Sequence, residues 1–202
     1  MMQKTNRKPD HGRLEAIVIG ASAGGIDALL NLLPGLPSDY RLPIIVVLHL
    51  PDDRDSRLAE IFALRMAMPA CEAADKAPIQ GGTVYFAPAG YHLAIEYDRS
   101  FSLSCEPPLH FSRPAIDILM ESAADAYGAA LAGILLTGAS ADGAAGLCKI
   151  QACGGITIAQ DPAEAQVGVM PAAALALFTP DHVLKLRDIH ALLLKLDARH
   201  AN

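Results

Sequence analysis

Three residues far apart in the chain have the chemistry of an acyl-transfer site. Ser22 lies in Gly20-Ala21-Ser22-Ala23-Gly24, His49 closes the apolar run Val46-Val47-Leu48, and Asp142 follows Ile134-Leu135-Leu136 after a short loop. A serine hydroxyl is a poor nucleophile near neutral pH. An adjacent imidazole can take its proton, and a carboxylate fixes the imidazole tautomer and offsets the charge it gains. The segment 20–24 also reads G-x-S-x-G between an apolar run and a periodic one, where glycines permit a tight turn and helix amides face a developing oxyanion. The order Ser, His, Asp differs from the Ser, acid, His order of α/β-hydrolases, so that superfamily is disfavoured while the relay logic stands.

Taken singly, each residue has a plainer reading. A serine in a glycine turn is usually a turn former, a histidine at a strand end is usually satisfied by backbone, and Asp-Gly is usually a turn or cap. The coincidence of three favours the relay. A strand, glycine turn and helix also describe the first unit of a dinucleotide fold. Ser22 replaces the second glycine of G-x-G-x-x-G, however, and His49 stands where a ribose-binding acid is expected, so a dinucleotide or phosphate site ranks second.

For the three side chains to meet, the strands preceding them must be parallel neighbours. The pattern predicts strands at 14–19, 43–48, 132–136, 156–159 and 182–184, and helices at 26–33, 54–66, 143–152, 171–177 and 189–196, with a weaker strand from Pro69. A helix from Ser112 is expected with Ser112 as its cap and Pro114 in its first turn. The runs 83–87, 91–97 and 100–104 read as antiparallel hairpins beside the sheet. Continuous apolar strands alternating with helices specify an α/β fold: three layers, doubly wound, a mostly parallel sheet with an antiparallel hairpin insertion. Ligands in such folds bind beyond the carboxyl ends of the strands.

The 202 residues divide on this reading into a flexible polar arm, 1–13, and a single domain, 14–202. With 52% hydrophobic and 19% charged residues the chain has ample apolar surface to fold. Its net charge of -6 gives no general attraction for phosphate backbones, so nucleic acid is not an expected partner. The longest uncharged stretch is too short and too glycine-broken to span a membrane, so no membrane insertion is expected. Cys71, Cys105, Cys148 and Cys153 show no C-x-x-C pair and read as reduced, mostly buried thiols of a cytoplasmic protein. His92, His110, His182, His190 and His200 lack ligand spacing, so neither metal nor cofactor is expected.

Wider motifs add a family resemblance. Gly20-Ala21-Ser22-Ala23-Gly24-Gly25, His49-Leu50-Pro51, Ser112-Arg113-Pro114-Ala115-Ile116-Asp117, Leu136-Thr137-Gly138 with Asp142-Gly143, and Ala159-Gln160 with Met170-Pro171 stand in the order and rough spacing of one family. From about Ala16 to Leu196 the sequence resembles the catalytic domain of the chemotaxis protein-glutamate methylesterases, the CheB type. The resemblance implies a nucleophile at Ser22, a general base at His49 and an acid at Asp142. It further implies hydrolysis of the γ-methyl ester of chemoreceptor glutamates, releasing methanol, with deamidation of receptor glutamines as a second activity. Ala23 and Ala139 fall on oxyanion and substrate-binding positions, Arg113 near acidic receptor groups, and Met170 beneath the site. The implied partners are the cytoplasmic region of methylated chemoreceptors and a separate receiver or sensory-complex protein.

Some positions depart from the family pattern. Ala23 stands for a usual Thr, Ala139 for Met, Ser140 for Gly, and Gly168-Val169 for an aromatic-Gly pair. The usual glycine at position 140 suggests a positive φ that Ser adopts reluctantly. Ala23, Ala139 and Ser140 thereby motivate a further alternative, a catalytically inactive module that docks on receptors.

Overall fold

The computed structural model describes residues 13–49 and 57–200. The arm at 1–13 lies outside them apart from Arg13, as do Leu50 and Pro51 of the expected turn and the start of the expected helix at 54.

Seven strands form one parallel sheet: β1 (Ala16–Ala21), β2 (Ile44–Leu48), β3 (Ala70–Glu72), β4 (Val84–Phe86), β7 (Leu131–Leu135), β8 (Ile156–Gln160) and β9 (His182–Leu184), in the order β3-β4-β2-β1-β7-β8-β9. The remaining two, β5 (His92–Ile95) and β6 (Phe101–Ser104), form an antiparallel pair outside it. The helices are α1 (Gly25–Leu32), α2 (Leu58–Ala63), α3 (Ile116–Tyr127), α4 (Ala144–Ala152), α5 (Val169–Leu177) and α6 (Leu186–His200).

Strict alternation divides each central strand between two cores. Ile17, Ile19, Ile44, Val46, Ala132 and Ile134 face one side with Leu29 and Leu32 of α1, Phe62 of α2 and Ile189 and Leu193 of α6. Ala16, Val18, Ile45, Val47 and Leu135 face the other with Ile116 and Met120 of α3, Leu147 of α4 and Met170 of α5. Each fully buried aliphatic side chain contributes about 1.5–3 kcal/mol relative to exposure. These two cores therefore hold the middle strands in fixed register.

Three expectations need correction. The run at 83–87 is no hairpin: β4 pairs parallel with both β2 and β3, and Val84, Tyr85 and Phe86 are all buried. Three alternating residues beside a Pro-Ala-Gly turn do not distinguish a sheet strand buried on both faces from a hairpin arm. Ser112 is no helix cap, since α3 begins at Ile116 behind Ala115 in extended conformation. The thiols are free but not mostly buried, because Cys71 and Cys105 are exposed and Cys148 and Cys153 half-buried.

Candidate active site

The centre of the sheet carries the expected convergence. β1 pairs in parallel with β2 on one side and β7 on the other, so the chain leaves all three strands at one edge. Ser22 follows β1, His49 follows β2, and the loop after β7 delivers Asp142. Backbone bonds lock these exits: the His49 N–H donates to Ala21 O at 3.1 Å, the Ser22 N–H to Thr137 O at 2.9 Å and the Gly25 N–H to Ser22 O at 2.7 Å. Gly24, at φ 77°, turns the chain into α1 in a conformation that disfavours a side chain. An added Cβ would also meet the Gln166 carboxamide at 2.5 Å.

Asp142 is fully buried beneath His49, with its Oδ2 2.8 Å from His49 Nε2. Oδ2 also accepts the Ile116 N–H at 2.8 Å, and Oδ1 accepts the Asp117 N–H at 2.9 Å. Burial alone would raise this carboxyl. The hydrogen bond from His49, the two amides of the α3 N-terminus and the charge of the imidazole outweigh it and hold the carboxyl below the ordinary aspartate range. An ionised carboxylate only accepts, so Nε2 must carry hydrogen and the neutral ring keeps its lone pair on Nδ1.

Ser22 and His49 line one cavity of about 320 Å³ with Gly24, Gly25, Ile26, Asp27, Leu48 and Gln166. Among the described residues no hydrogen bond joins the Ser22 hydroxyl to His49. The hydroxyl found on Nδ1 is that of Ser112, at 3.3 Å. The structure thus brings nucleophile candidate and imidazole to the same cavity and joins imidazole to acid, while the expected serine–histidine bond is not made. Free active sites often have such bonds long or misaligned before substrate tightens them.

The family model described as CheB methylesterase matches residues 17–193. The chain belongs to the CheB methylesterase family. It is 43% identical to protein-glutamate methylesterase/protein-glutamine glutaminase 1 of Hahella chejuensis, over 87% of this chain and 49% of that one, so it spans about half the length of that relative. A Leptospira interrogans chain, provisionally given the same two-activity name, is 44% identical over 91% of this chain and 95% of its own. The crystal structure of the Thermotoga maritima CheB methylesterase catalytic domain superposes with a TM-score of 0.86 at 31% identity, covering 91% of this chain and 98% of that one.

Against the CheB pattern, the other expected positions divide. Met170 is buried, and a methyl group added to Gly138 would meet its Cε at 2.5 Å and the Ser22 Cβ at 3.0 Å, so its thioether packs beneath the Ser22 turn. Ala23 and Ala139 are exposed at the loops after β1 and β7, and neither lines the cavity. Ser140 is not in the left-handed region; Gly143, at φ 90°, is. The Ser140 hydroxyl instead accepts the Asp142 N–H at 3.3 Å, which removes the concern raised by the missing glycine. Arg113 does not line the cavity either, because its Nη1 donates to the carbonyls of Cys105 and Glu106, each at 3.1 Å.

Sequence reasoning missed several residues that hold the site. The Thr137 hydroxyl donates to Ala23 O at 2.8 Å and accepts the Val167 N–H at 2.9 Å, while the Thr137 N–H donates to Gln160 Oε1 at 2.9 Å. One side chain thus ties the Ser22 turn to β7 and to the 160–170 loop. Both residues stood in quoted motifs, but nothing in their spacing assigned them this role. His110, Asp117 and Asp142 offer donor atoms within 4.8 Å of one another. Asp142 already accepts N–H groups on both oxygens and Asp117 Oδ1 accepts the Gly146 N–H at 2.7 Å, so the set is organised around amides.

Proposed function

We propose that residues 14–202 act as one catalytic unit, a cytoplasmic serine hydrolase that removes the γ-methyl ester from methylglutamate residues of chemoreceptors. Deamidation of receptor glutamines is the second activity, since it passes through the same acyl group with ammonia in place of methanol. The observation that carries this reading is the cavity shared by Ser22 and His49, with the buried Asp142 bonded to the far nitrogen of His49.

The tautomer fixes the proton path. Ser22 Oγ attacks the ester carbonyl and its proton passes to Nδ1 of His49, giving an imidazolium faced by the Asp142 carboxylate. The oxyanion develops beside the N-terminus of α1, with backbone amides at Ala23 and Ala139 as donors by the family pattern. Collapse expels methanol, which takes the proton from Nδ1. Water then attacks the acyl-enzyme and yields one proton to Nδ1; Ser22 leaves with that proton, and the glutamic acid so formed gives its remaining proton to solvent as the carboxylate. The methylated receptor segment is the partner this chemistry requires; a separate receiver or sensory-complex protein is a further partner in the same proposal.

Methanol release from methylated receptor, measured for parent and Ser22→Ala together, tests the proposal. Turnover by the parent and none by Ser22→Ala is expected. Equal rates would remove Ser22 from the chemistry.

A further inference from the structure

The hydroxyl on His49 Nδ1 belongs to Ser112, which the relay does not use. Its backbone is held in an unusual way. The Ser112 N–H donates to Leu109 O at 2.9 Å and the Leu109 N–H to Ser112 O at 3.2 Å, closing a two-residue turn over His110 and Phe111. Both central residues have positive φ, 50° and 62°, as a type I′ turn requires. Such turns favour Asn and Gly, and a bulky side chain there is strained. The Phe111 side chain is fully exposed, so it gains no packing in return.

Further bonds brace the flanks of this turn. Arg113 binds the carbonyls of Cys105 and Glu106. Buried His92 spans the loop, with Nε2 3.2 Å from Pro107 O and Nδ1 accepting the Ala115 N–H at 3.1 Å. A strained turn braced on both sides, with one hydroxyl aimed at the imidazole, fits a device whose strain is kept for function.

We propose that Ser112 is a positioning residue for the hydrolysis: its hydroxyl donates to Nδ1 of His49 and holds the ring, anchored at Nε2 by Asp142, in the plane from which Nδ1 is handed to Ser22. The contact at 3.3 Å is long, so surrendering it to Ser22 costs little. With Nε2 bound alone, the ring pivots about that bond and Nδ1 spends less time facing the nucleophile. The inference rests on the esterase reading of the cleft.

The test compares Ser112→Ala and Ser112→Thr with the parent in methanol release from methylated receptor, alongside nitrogen NMR of protein carrying 15N-labelled histidine. Ser112→Ala should lower kcat about tenfold, because Nδ1 faces the nucleophile for a smaller fraction of the time, with KM unchanged. Ser112→Thr, which keeps the hydroxyl, should restore most of the rate. The Nδ1 resonance of His49 should move in Ser112→Ala towards that of an unbonded imidazole nitrogen and stay near the parent's in Ser112→Thr. Parental kcat in Ser112→Ala, an unmoved Nδ1 resonance, or no rescue by Thr in a variant that melts like the parent would each overturn the inference. So would a loss as complete as that of Ser22→Ala. Turnover by Ser22→Ala is a separate result, which would overturn the esterase reading itself.

Discussion

On one wall of the cleft Ser22 is set by backbone: β1 delivers it, the carbonyl of Thr137 holds its N–H, and the Thr137 hydroxyl ties the next residue to the neighbouring loop. Ser112, which meets His49 from outside the residues that line the cavity, is set by side chains and stands as the second wall of the catalytic centre, with Arg113 and His92 clamping a loop whose turn is strained at His110 and Phe111. The first wall inherits its position from the core of the sheet. The second leans on the first residue of β5 and on the chain just after β6, outside the main sheet, and is held there by a few hydrogen bonds. A nucleophile carried by the rigid wall and a ring-holding hydroxyl carried by the softer one divide labour in a way that allows Nδ1 to change partners.

Perturbing the shared centre should have the largest effect. Asp142→Asn can no longer accept from every donor around it and loses control of the His49 tautomer, so kcat should fall by about 10⁴-fold in steady-state methanol release, with little change in KM. On the rigid wall, Thr137→Val leaves the Val167 N–H without its acceptor. It should cost about 1–3 kcal/mol in denaturant unfolding, more than any exposed substitution on the opposite loop.

Acidification gives a smaller and signed effect. Because the folded state depresses the Asp142 carboxyl, its stabilisation is present above the unfolded value of about 3.9 and is lost as pH falls through the lower folded value. Asp142→Asn should therefore lose less stability than the parent between about pH 4 and pH 2. Asp117 has the opposite sign: burial first, with the nearby Asp142 charge, raises its carboxyl against the bond from Gly146, so it favours folding as pH falls. Asp117→Asn should steepen the acid loss. Denaturation midpoints from about pH 4 to pH 2 check the first, and midpoints above about pH 4, where the raised Asp117 carboxyl takes up its proton, check the second. Smallest of all, Phe111→Gly should raise the unfolding free energy by up to about 1 kcal/mol, since it removes left-handed strain without losing packing. Stability unchanged or lowered would show that the softer wall stores no strain there.

The same contrast explains what was legible in the sequence. Apolar runs ending at Ser22, His49 and before Asp142 announced a parallel sheet with chemistry at its edge, and β2, β1 and β7 lie side by side as that required. Met170 lay outside the expected helix at 171–177 and was placed beneath the site only through the family resemblance; its burial fits packing there. Ser112 was not: Ser followed two residues later by Pro has the composition of a helix start, whereas its position depends on bonds from His92 and Arg113 to backbone carbonyls and amides. Thr137 and Gln160 were hidden for the same reason, since a hydroxyl that bridges three segments leaves no periodicity. β4 was misread because three residues carry too little pattern to choose between a sheet strand and a hairpin.

The central claim is that His49, poised by Asp142, activates Ser22. Reaction with a fluorophosphonate, followed by peptide mass mapping of the adduct, tests it most directly. The account predicts an adduct on Ser22 that is lost in His49→Ala; an adduct on Ser112 instead, or labelling of Ser22 at the parental rate without His49, would contradict it.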